Sequence, residues 1–190
     1  MSLLVIVLAY LLGSVNFGVL MARTQGVDIY SAGSGNPGTS NVMRVLGKKL
    51  GALVLVGDAA KGAVAAAIGV LAIDPAFGYV ALLAAVVGHA FPVWHRFRGG
   101  KSVATTIGGM IYLAPAVGLV LGTVWIVALV VWKTASIGSL VAMGLLVPLL
   151  ALTGRQSVEL VWSTVIALFV ILRHTGNIQR LVSASERKVS

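Results

Sequence analysis

Seven apolar runs, nearly free of charge, make up most of this chain of 190 residues, and a soluble fold of this length has too little interior to bury them all. They lie at residues 2–22 and roughly at 51–72, 77–94, 101–114, 116–132, 136–152 and 157–172. Hydrophobic residues are 58% of the chain and charged residues 10%, against about 45–50% and about 25% in soluble domains. The runs must therefore face lipid, and the class is all-α: a polytopic integral membrane helical bundle. Disorder is excluded. At about 1.5 Å per residue several runs are short for a hydrocarbon core of about 30 Å, which implies shallow or tilted helices around a pocket. The 23 glycines sit mostly inside these runs with no three-residue period, which excludes collagen and suits close helix contacts. With no cysteine, the chain has no disulfide, no thiolate metal site and no cysteine acyl-enzyme.

Charge sets the topology. No basic residue precedes the first run and Arg23 follows it, the reverse of a cleaved secretory signal, so that run reads as a retained helix with its N-terminus outside. Residues 101–132 form one kinked helix or two, depending on Ala114-Pro115. A hairpin there puts Arg23, Arg44, Lys48, Lys49, Arg96, Arg98, Lys101, Lys133, Arg173, Arg180, Arg187 and Lys188 on one side, twelve of the fourteen basic residues. Arg155 is then alone outside, and Lys61 lies within a helix. A single long helix moves Lys133 and the C-terminal cations across, against the positive-inside bias. The reading is seven transmembrane helices, N-terminus outside and C-terminus cytoplasmic, with residues 1–190 as one domain. Within it, 174–190 is a cytoplasmic tail. Ile178, Leu181 and Val182 beside Arg180 predict an interfacial helix at its start, followed by disorder.

The net charge of +9 fits cytoplasmic loops, lipid headgroups or an anionic substrate in a chain of this class, rather than nucleic acid. Three polar islands fall at the cytoplasmic face. The first, Gly33-Ser34-Gly35-Asn36-Pro37-Gly38-Thr39-Ser40-Asn41, has glycines that let successive N–H groups converge on an anion. Ser40 or Asn41 would cap a short helix through Leu46, and Arg44, one turn in, would return to the same anion. Taken alone, the stretch is equally a turn-rich connection. The second island runs from His89 to Ser102. Its Gly100-Lys101-Ser102 resembles the end of a P-loop, but His95 stands where that motif needs glycine. What remains is Lys101 at a helix start, where its ammonium and free N–H groups both favour phosphate. The third is Arg173-His174-Thr175-Gly176-Asn177 at the end of the last run. Asp58 and Lys61, at i and i+3 in the second run, are either a mutual ion pair or a substrate contact. Ser136 and Ser139 are either packing hydroxyls or pocket donors.

Several chemistries drop out. The five acids, Asp28, Asp58, Asp74, Glu159 and Glu186, form no close pair in sequence, which disfavours paired-carboxylate hydrolysis. His89, His95 and His174 make no HExxH arrangement, so no metal is expected. Nor is there a His-x4-Asp acyltransferase box. The remaining equipment is cations and donors around phosphate, with membrane to hold an acyl chain.

At these residues a resemblance enters. GSGNPGTSNVMRVLGKK, GHAFPVWHRFRGGKSVAT and RHTGNIQRL, in that order, resemble the three cytoplasmic motifs of the bacterial acyl-phosphate:glycerol-3-phosphate acyltransferases (the PlsY family). The likeness runs from GSVNFG in the first run to RHTGNI near the end. Two departures are visible: Thr39-Ser40-Asn41 replaces the family's Ala-Thr-Asn, and Gly99-Gly100-Lys101-Ser102 its Gly-Gly-Lys-Gly.

The resemblance implies transfer of a fatty acyl group from acyl phosphate to the 1-hydroxyl of glycerol 3-phosphate, giving lysophosphatidic acid and phosphate, with no cofactor. It implies a multi-pass protein of the bacterial cytoplasmic membrane whose site faces the cytoplasm. Partners are then acyl phosphate, glycerol 3-phosphate and membrane lipids, with hand-over from an acyl-phosphate-forming enzyme. Matched motif by motif, Ser34, Arg44, Lys101, His174 and Asn177 are the expected catalytic residues. Gly33, Gly35, Asn36, Gly38, Ser40, Asn41, Lys61 and Ser139 are the expected substrate contacts. Because the chain offers no evident base, a substrate phosphate is expected to take the hydroxyl proton. The competing class is a transporter or flippase for an anionic phosphate-bearing metabolite or lipid.

Overall fold

The computed structural model describes residues 1–189, and all regular structure among them is helical. The helices are α1 (Ser2–Ser14), α2 (Phe17–Thr24), α3 (Thr39–Leu46), α4 (Lys48–Ala72) and α5 (Phe77–Ala90), then α6 (Val103–Leu113), α7 (Pro115–Trp132), α8 (Ala135–Ala151), α9 (Ser157–Leu172) and α10 (Thr175–Val182), with a short 3-10 turn at Val93–His95.

Each of the seven apolar runs becomes helix, and the boundaries follow local chemistry. The first run is not one helix but two. Val15 is extended (φ −64°, ψ 115°), and Asn16 caps α2 by accepting from the Val19 N–H at 3.2 Å. An asparagine that competes for backbone N–H groups is a strong helix starter, and here it interrupts an otherwise apolar stretch. The question at Ala114-Pro115 is settled in favour of two helices. Ala114 leaves helical geometry (φ −144°, ψ 78°), Pro115 opens α7 where its missing N–H costs nothing, and α7 doubles back on α6. A methyl carbon placed on Gly122 would lie 3.5 Å from Cγ2 of Ile107, although fifteen positions along one straight helix would separate them by about 22 Å.

By length and apolarity, α1 with α2, α4, residues 77–95 and α7 are each long enough to cross a membrane, and α9 with α10 makes a fifth as a pair bent by 56°. α6 and α8 are apolar but shorter. The core lies among α5 to α9, where Tyr79, Leu82, Met110, Leu121, Leu146, Leu150 and Ile166 are fully buried. Outward faces carry bare Leu3, Leu71, Leu119 and Val130, as suits helices solvated by lipid. Small residues bring α4 and α6 into backbone contact, since a side chain on Gly62 would overlap the Thr105 carbonyl.

The tail departs from its expected disorder. After α10 the chain turns back: Val189, itself buried, donates its N–H to the Lys133 carbonyl at 2.7 Å, and the Arg44 Nε donates to the Lys188 carbonyl at 3.1 Å. What holds it is Glu186, a carboxylate among cations. The last residue of the tail, Ser190, lies outside the described residues.

Candidate active site

The first island folds around Asn41. Gly33 and Gly35 take positive φ (60° and 70°), which turns the loop so that Asn41 can reach back into it. The Asn41 Oδ1 accepts from the Ser34 N–H at 2.7 Å and from Arg44 at 3.3 Å, while its Nδ2 donates to the Ala32 carbonyl at 3.0 Å. Gly38, not Ser40 or Asn41, is the N-cap of α3. Asn41 and Val42 donate their N–H groups to the Gly38 carbonyl, leaving those of Thr39 and Ser40 free at the helix start. The Asn36 Oδ1 in turn accepts from the Gly38 N–H at 2.9 Å.

The second island is tied to the first. Tyr30 donates its hydroxyl to the Arg98 carbonyl at 2.6 Å, and the Arg98 guanidinium stands 4.8 Å over the Tyr30 ring. Ser102 is the N-cap of α6 in left-handed geometry (φ 66°). Its side chain donates to the Val86 carbonyl at 2.7 Å, which ties this serine, standing where the resembled motif has glycine, to α5. Gly100 donates its N–H to the His89 carbonyl at 3.0 Å.

The third island is a bend rather than a continuing helix. α9 ends at Leu172, His174 is the N-cap of α10, and Asn177 lies in the first turn of the new helix. His174 Nδ1 is 2.8 Å from the Val170 carbonyl. A carbonyl only accepts, so Nδ1 carries the proton and Nε2 of the neutral ring holds a lone pair. Lys101 Nζ donates to Asn177 Oδ1, Asn177 Nδ2 donates to Glu186 at 2.7 Å, and Arg180 Nε donates to the same carboxylate at 2.9 Å. Arg173 lies over the Phe91 ring at 4.8 Å, with one N–H to the Gly100 carbonyl at 3.4 Å.

One cavity joins these pieces. Of the thirteen residues expected at the site, Ser34, Asn36, Gly38, Ser40, Asn41, Arg44, Lys101, Ser139, His174 and Asn177 line it. Gly33, Gly35 and Lys61 do not. The two glycines shape the loop from behind, since a side chain on Gly33 would overlap Asn41 Oδ1. Lys61, 3% exposed, is not a lining residue, but Asp58 and His89, each 2.8 Å from its Nζ, are. The cavity also takes in Asp58, His89, Trp125, Arg180, Glu186 and Arg187. Sequence spacing offers no signal for Trp125, which meets the cavity by donating its indole N–H to Ser139 at 3.1 Å across the α7–α8 turn.

The electrostatics are net positive, the Asp58 and Glu186 carboxylates being outnumbered. Thr39, Val103, Ala135 and His174, at the starts of α3, α6, α8 and α10, all line the cavity. Each helix start brings about half a positive charge and unpaired N–H groups. Arg44, Lys101, Arg180 and Arg187 add full charges. Burial pushes the Lys101 ammonium down to about 8, Glu186 working the other way. Leu55, Ile107 and Trp125 give the cavity an apolar part beside Asp58, His89, Ser136 and Ser139. The site suits an anion attached to an apolar chain.

Residues 3–184 match the family model described as glycerol-3-phosphate acyltransferase. The chain belongs to the glycerol-3-phosphate acyltransferase family. A member from Myxococcus xanthus (strain DK1622) is 42% identical over 191 residues, covering 99% of this chain and all of that one. Another from Geobacillus kaustophilus (strain HTA426) is 41% identical and covers 100% of this chain and 96% of its own length. Two crystal structures of PlsY (YgiH), an integral membrane glycerol 3-phosphate acyltransferase, share the fold. The glycerol 3-phosphate form matches with a TM-score of 0.94 at 37% identity, over 100% of this chain and 96% of that one. The lysophosphatidic acid form matches at 0.91 and 38%, over 98% and 94%. This chain is accordingly an integral membrane acyltransferase of that family, and phospholipid synthesis is its setting.

Proposed function

We propose that the cavity binds a fatty acyl phosphate and glycerol 3-phosphate together and transfers the acyl group to the glycerol 1-hydroxyl. The observation that carries this reading is the junction of four helix starts and the Arg44 and Lys101 cations with the apolar part formed by Leu55, Ile107 and Trp125. Ser34, Asn36, Gly38 and Asn41, with the free N–H groups of α3, hold the acyl phosphate. Arg44, Lys101 and Asn177 bind glycerol 3-phosphate and the oxyanion that develops at the carbonyl, while the His174 Nε2 lone pair accepts from a glycerol hydroxyl and orients it. Ser40 completes the donor set, and Ser139, whose hydroxyl donates to the Ala135 carbonyl at 2.9 Å, contributes a cavity-lining contact that positions Trp125.

The glycerol oxygen forms a new bond to the acyl carbon, the carbon–oxygen bond to phosphate breaks, and phosphate leaves. The hydroxyl proton passes to a phosphate oxygen of the substrate. Two observations support that route over a protein base. Glu186 already accepts from Asn177 and Arg180, and Asp58 lies 2.8 Å from Lys61 Nζ, so neither carboxylate lining the cavity is free, and burial pushes the His174 ring down to about 4, which makes its Nε2 lone pair a weak base. An acyl phosphate is a mixed anhydride with a good leaving group, so positioning and anion clamping supply most of what the step needs.

The same reading places the protein in the bacterial cytoplasmic membrane as one domain of seven crossings, N-terminus outside and C-terminus cytoplasmic, with the site facing the cytoplasm. The α6–α7 hairpin and the twelve one-sided cations support it. An enzyme that makes acyl phosphate would hand its product over at this face.

Purified protein in bilayer discs, given labelled glycerol 3-phosphate, is expected to form lysophosphatidic acid from palmitoyl phosphate and not from palmitoyl-CoA. Equal or faster turnover with the thioester would overturn the donor assignment, and movement of label without a new ester would favour transport.

The Lys101 ammonium predicts a pH dependence. Its charged form binds phosphate, and that form is lost as pH rises through about 8. kcat/KM for glycerol 3-phosphate, which reports the free enzyme, is expected to fall above that pH. In Lys101→Arg, whose guanidinium stays charged, the fall moves to higher pH. An alkaline limb unchanged in Lys101→Arg would rule Lys101 out as its source.

A further inference from the structure

Lys61 sits within α4, and the reaction above gives it no task. Its Nζ lies 2.6 Å from the Val15 carbonyl, 2.8 Å from Asp58 Oδ1 and 2.8 Å from His89 Nδ1. An ammonium has three N–H donors and no lone pair, so it donates to the Val15 carbonyl and to His89 Nδ1, while the Asp58 carboxylate, also 3.5 Å from His89 Nδ1, balances its charge. The Val15 carbonyl is open to a side chain because α1 stops one residue earlier and the chain turns extended. A pair within α4 needs only Asp58. This lysine instead joins the α1–α2 break, α4 and the end of α5, at the cost of holding an ion within a membrane-spanning helix.

The contact with His89 has a chemical consequence. An Nδ1 that accepts from an ammonium carries no proton, so the neutral His89 ring is protonated on Nε2. That edge of the ring faces the loop before α6. A methyl group on Gly100 would overlap His89 Nε2, the Gly100 N–H donates to the His89 carbonyl at 3.0 Å, and a methyl on Gly99 would overlap that same carbonyl. The next residue is Lys101.

We propose that Lys61 is a positioning residue for acyl transfer: it fixes the tautomer and tilt of His89, whose ring is the surface on which Gly99-Gly100 seats Lys101. Lys61 reaches substrate only through this chain of contacts. The proposal rests on the reading of the cavity as the site of transfer.

Two measurements test it. In protein labelled with 15N-histidine, with the His89 resonances assigned by their loss in His89→Gln, the resting ring is expected to be neutral and protonated on Nε2. In folded Lys61→Met the proton redistributes to Nδ1, and kcat/KM falls by about 100-fold, the scale expected when a catalytic group is misplaced by about 1 Å. The second measurement is a cycle between Gly100→Ala and His89→Ala that needs no change at Lys61. Gly100→Ala drives a methyl into the ring and is expected to lose about 100-fold in kcat/KM, whereas in His89→Ala, where there is room for it, the same methyl costs less than about 3-fold.

Equal losses from Gly100→Ala in both backgrounds would overturn the seating of the loop on the ring. An unchanged tautomer in folded Lys61→Met, or unchanged kcat/KM with only a lower Tm, would reduce Lys61 to a stabilising ion. The tautomer is read without substrate, so it decides the Lys61–His89 contact even if palmitoyl phosphate proves not to be the donor.

Discussion

Lys101→Ala is expected to lower kcat by about a thousand-fold while the protein still folds. Lys101 belongs to the short loop before α6, so its removal breaks no helix. Its Nζ makes one protein contact, to Asn177, and lies in a cavity where the starts of four helices also point. The ammonium is therefore available to two phosphates and to the carbonyl oxygen that becomes negative as the hydroxyl attacks. A preorganised donor of that kind contributes about 100- to 1,000-fold in rate when deleted singly, and a full charge in a water-poor site sits at the upper end. The structural loss is small by comparison. Asn177 loses one donor, worth about 1 kcal/mol, and relief from burying the ammonium works against it. Thermal melting beside steady-state kinetics separates the two effects. Turnover within a few-fold of wild type in folded protein would remove Lys101 from the mechanism.

The second large effect is expected from Asn41→Ala, a residue that works mainly on its own loop. Its amide closes the turn through Ser34, Arg44 and the Ala32 carbonyl. Alanine leaves the Ser34 N–H and the Ala32 carbonyl without their partner, each costing about 1–3 kcal/mol where water is excluded. The positive-φ turns at Gly33 and Gly35 then lose the side chain around which they are wrapped. kcat/KM is expected to fall by about 100-fold through misplaced N–H donors, with Tm lowered as well. Asn41→Asp is a useful companion. It keeps the acceptor for Ser34 but puts a carboxylate oxygen against the Ala32 carbonyl and a negative charge near the phosphate site. A loss at least as large is expected from it. If Asn41→Asp works normally, the amide is dispensable and the loop is held by its glycines alone.

Residues 77–94 and 157–172, read as membrane runs, become helices at Phe77–Ala90 and Ser157–Leu172, because apolar length alone dictates a helix in lipid. The three islands were legible for a related reason. Polar, glycine-rich stretches stand out against apolar sequence, and the fold gathers residues of all three around one cavity. What stayed hidden depends on contacts between distant segments. Asn16 has the chemistry of a helix cap, yet within an apolar run it reads as one polar residue on a helix face. Lys61 reads as the partner of Asp58 or as a substrate contact, because neither the Val15 carbonyl nor the His89 ring can be assigned to it by spacing. Glu186 sits in a polar tail whose composition suggests disorder, and its value lies in Asn177 and Arg180, which only the α9–α10 bend brings within reach.

α6, the helix that begins two residues after Lys101, has only 11 residues. It rises about 16 Å, roughly half of an ordinary hydrocarbon core of about 30 Å. A crossing built on it must be completed by the Gly99-Gly100-Lys101 loop at one end and the Ala114-Pro115 turn at the other, or by a bilayer that thins to meet it. On the proposed topology, the thickness of the host membrane sets how far a water-soluble metabolite descends to reach Lys101, so that lipids of longer or shorter chain tune that depth with no change in the protein.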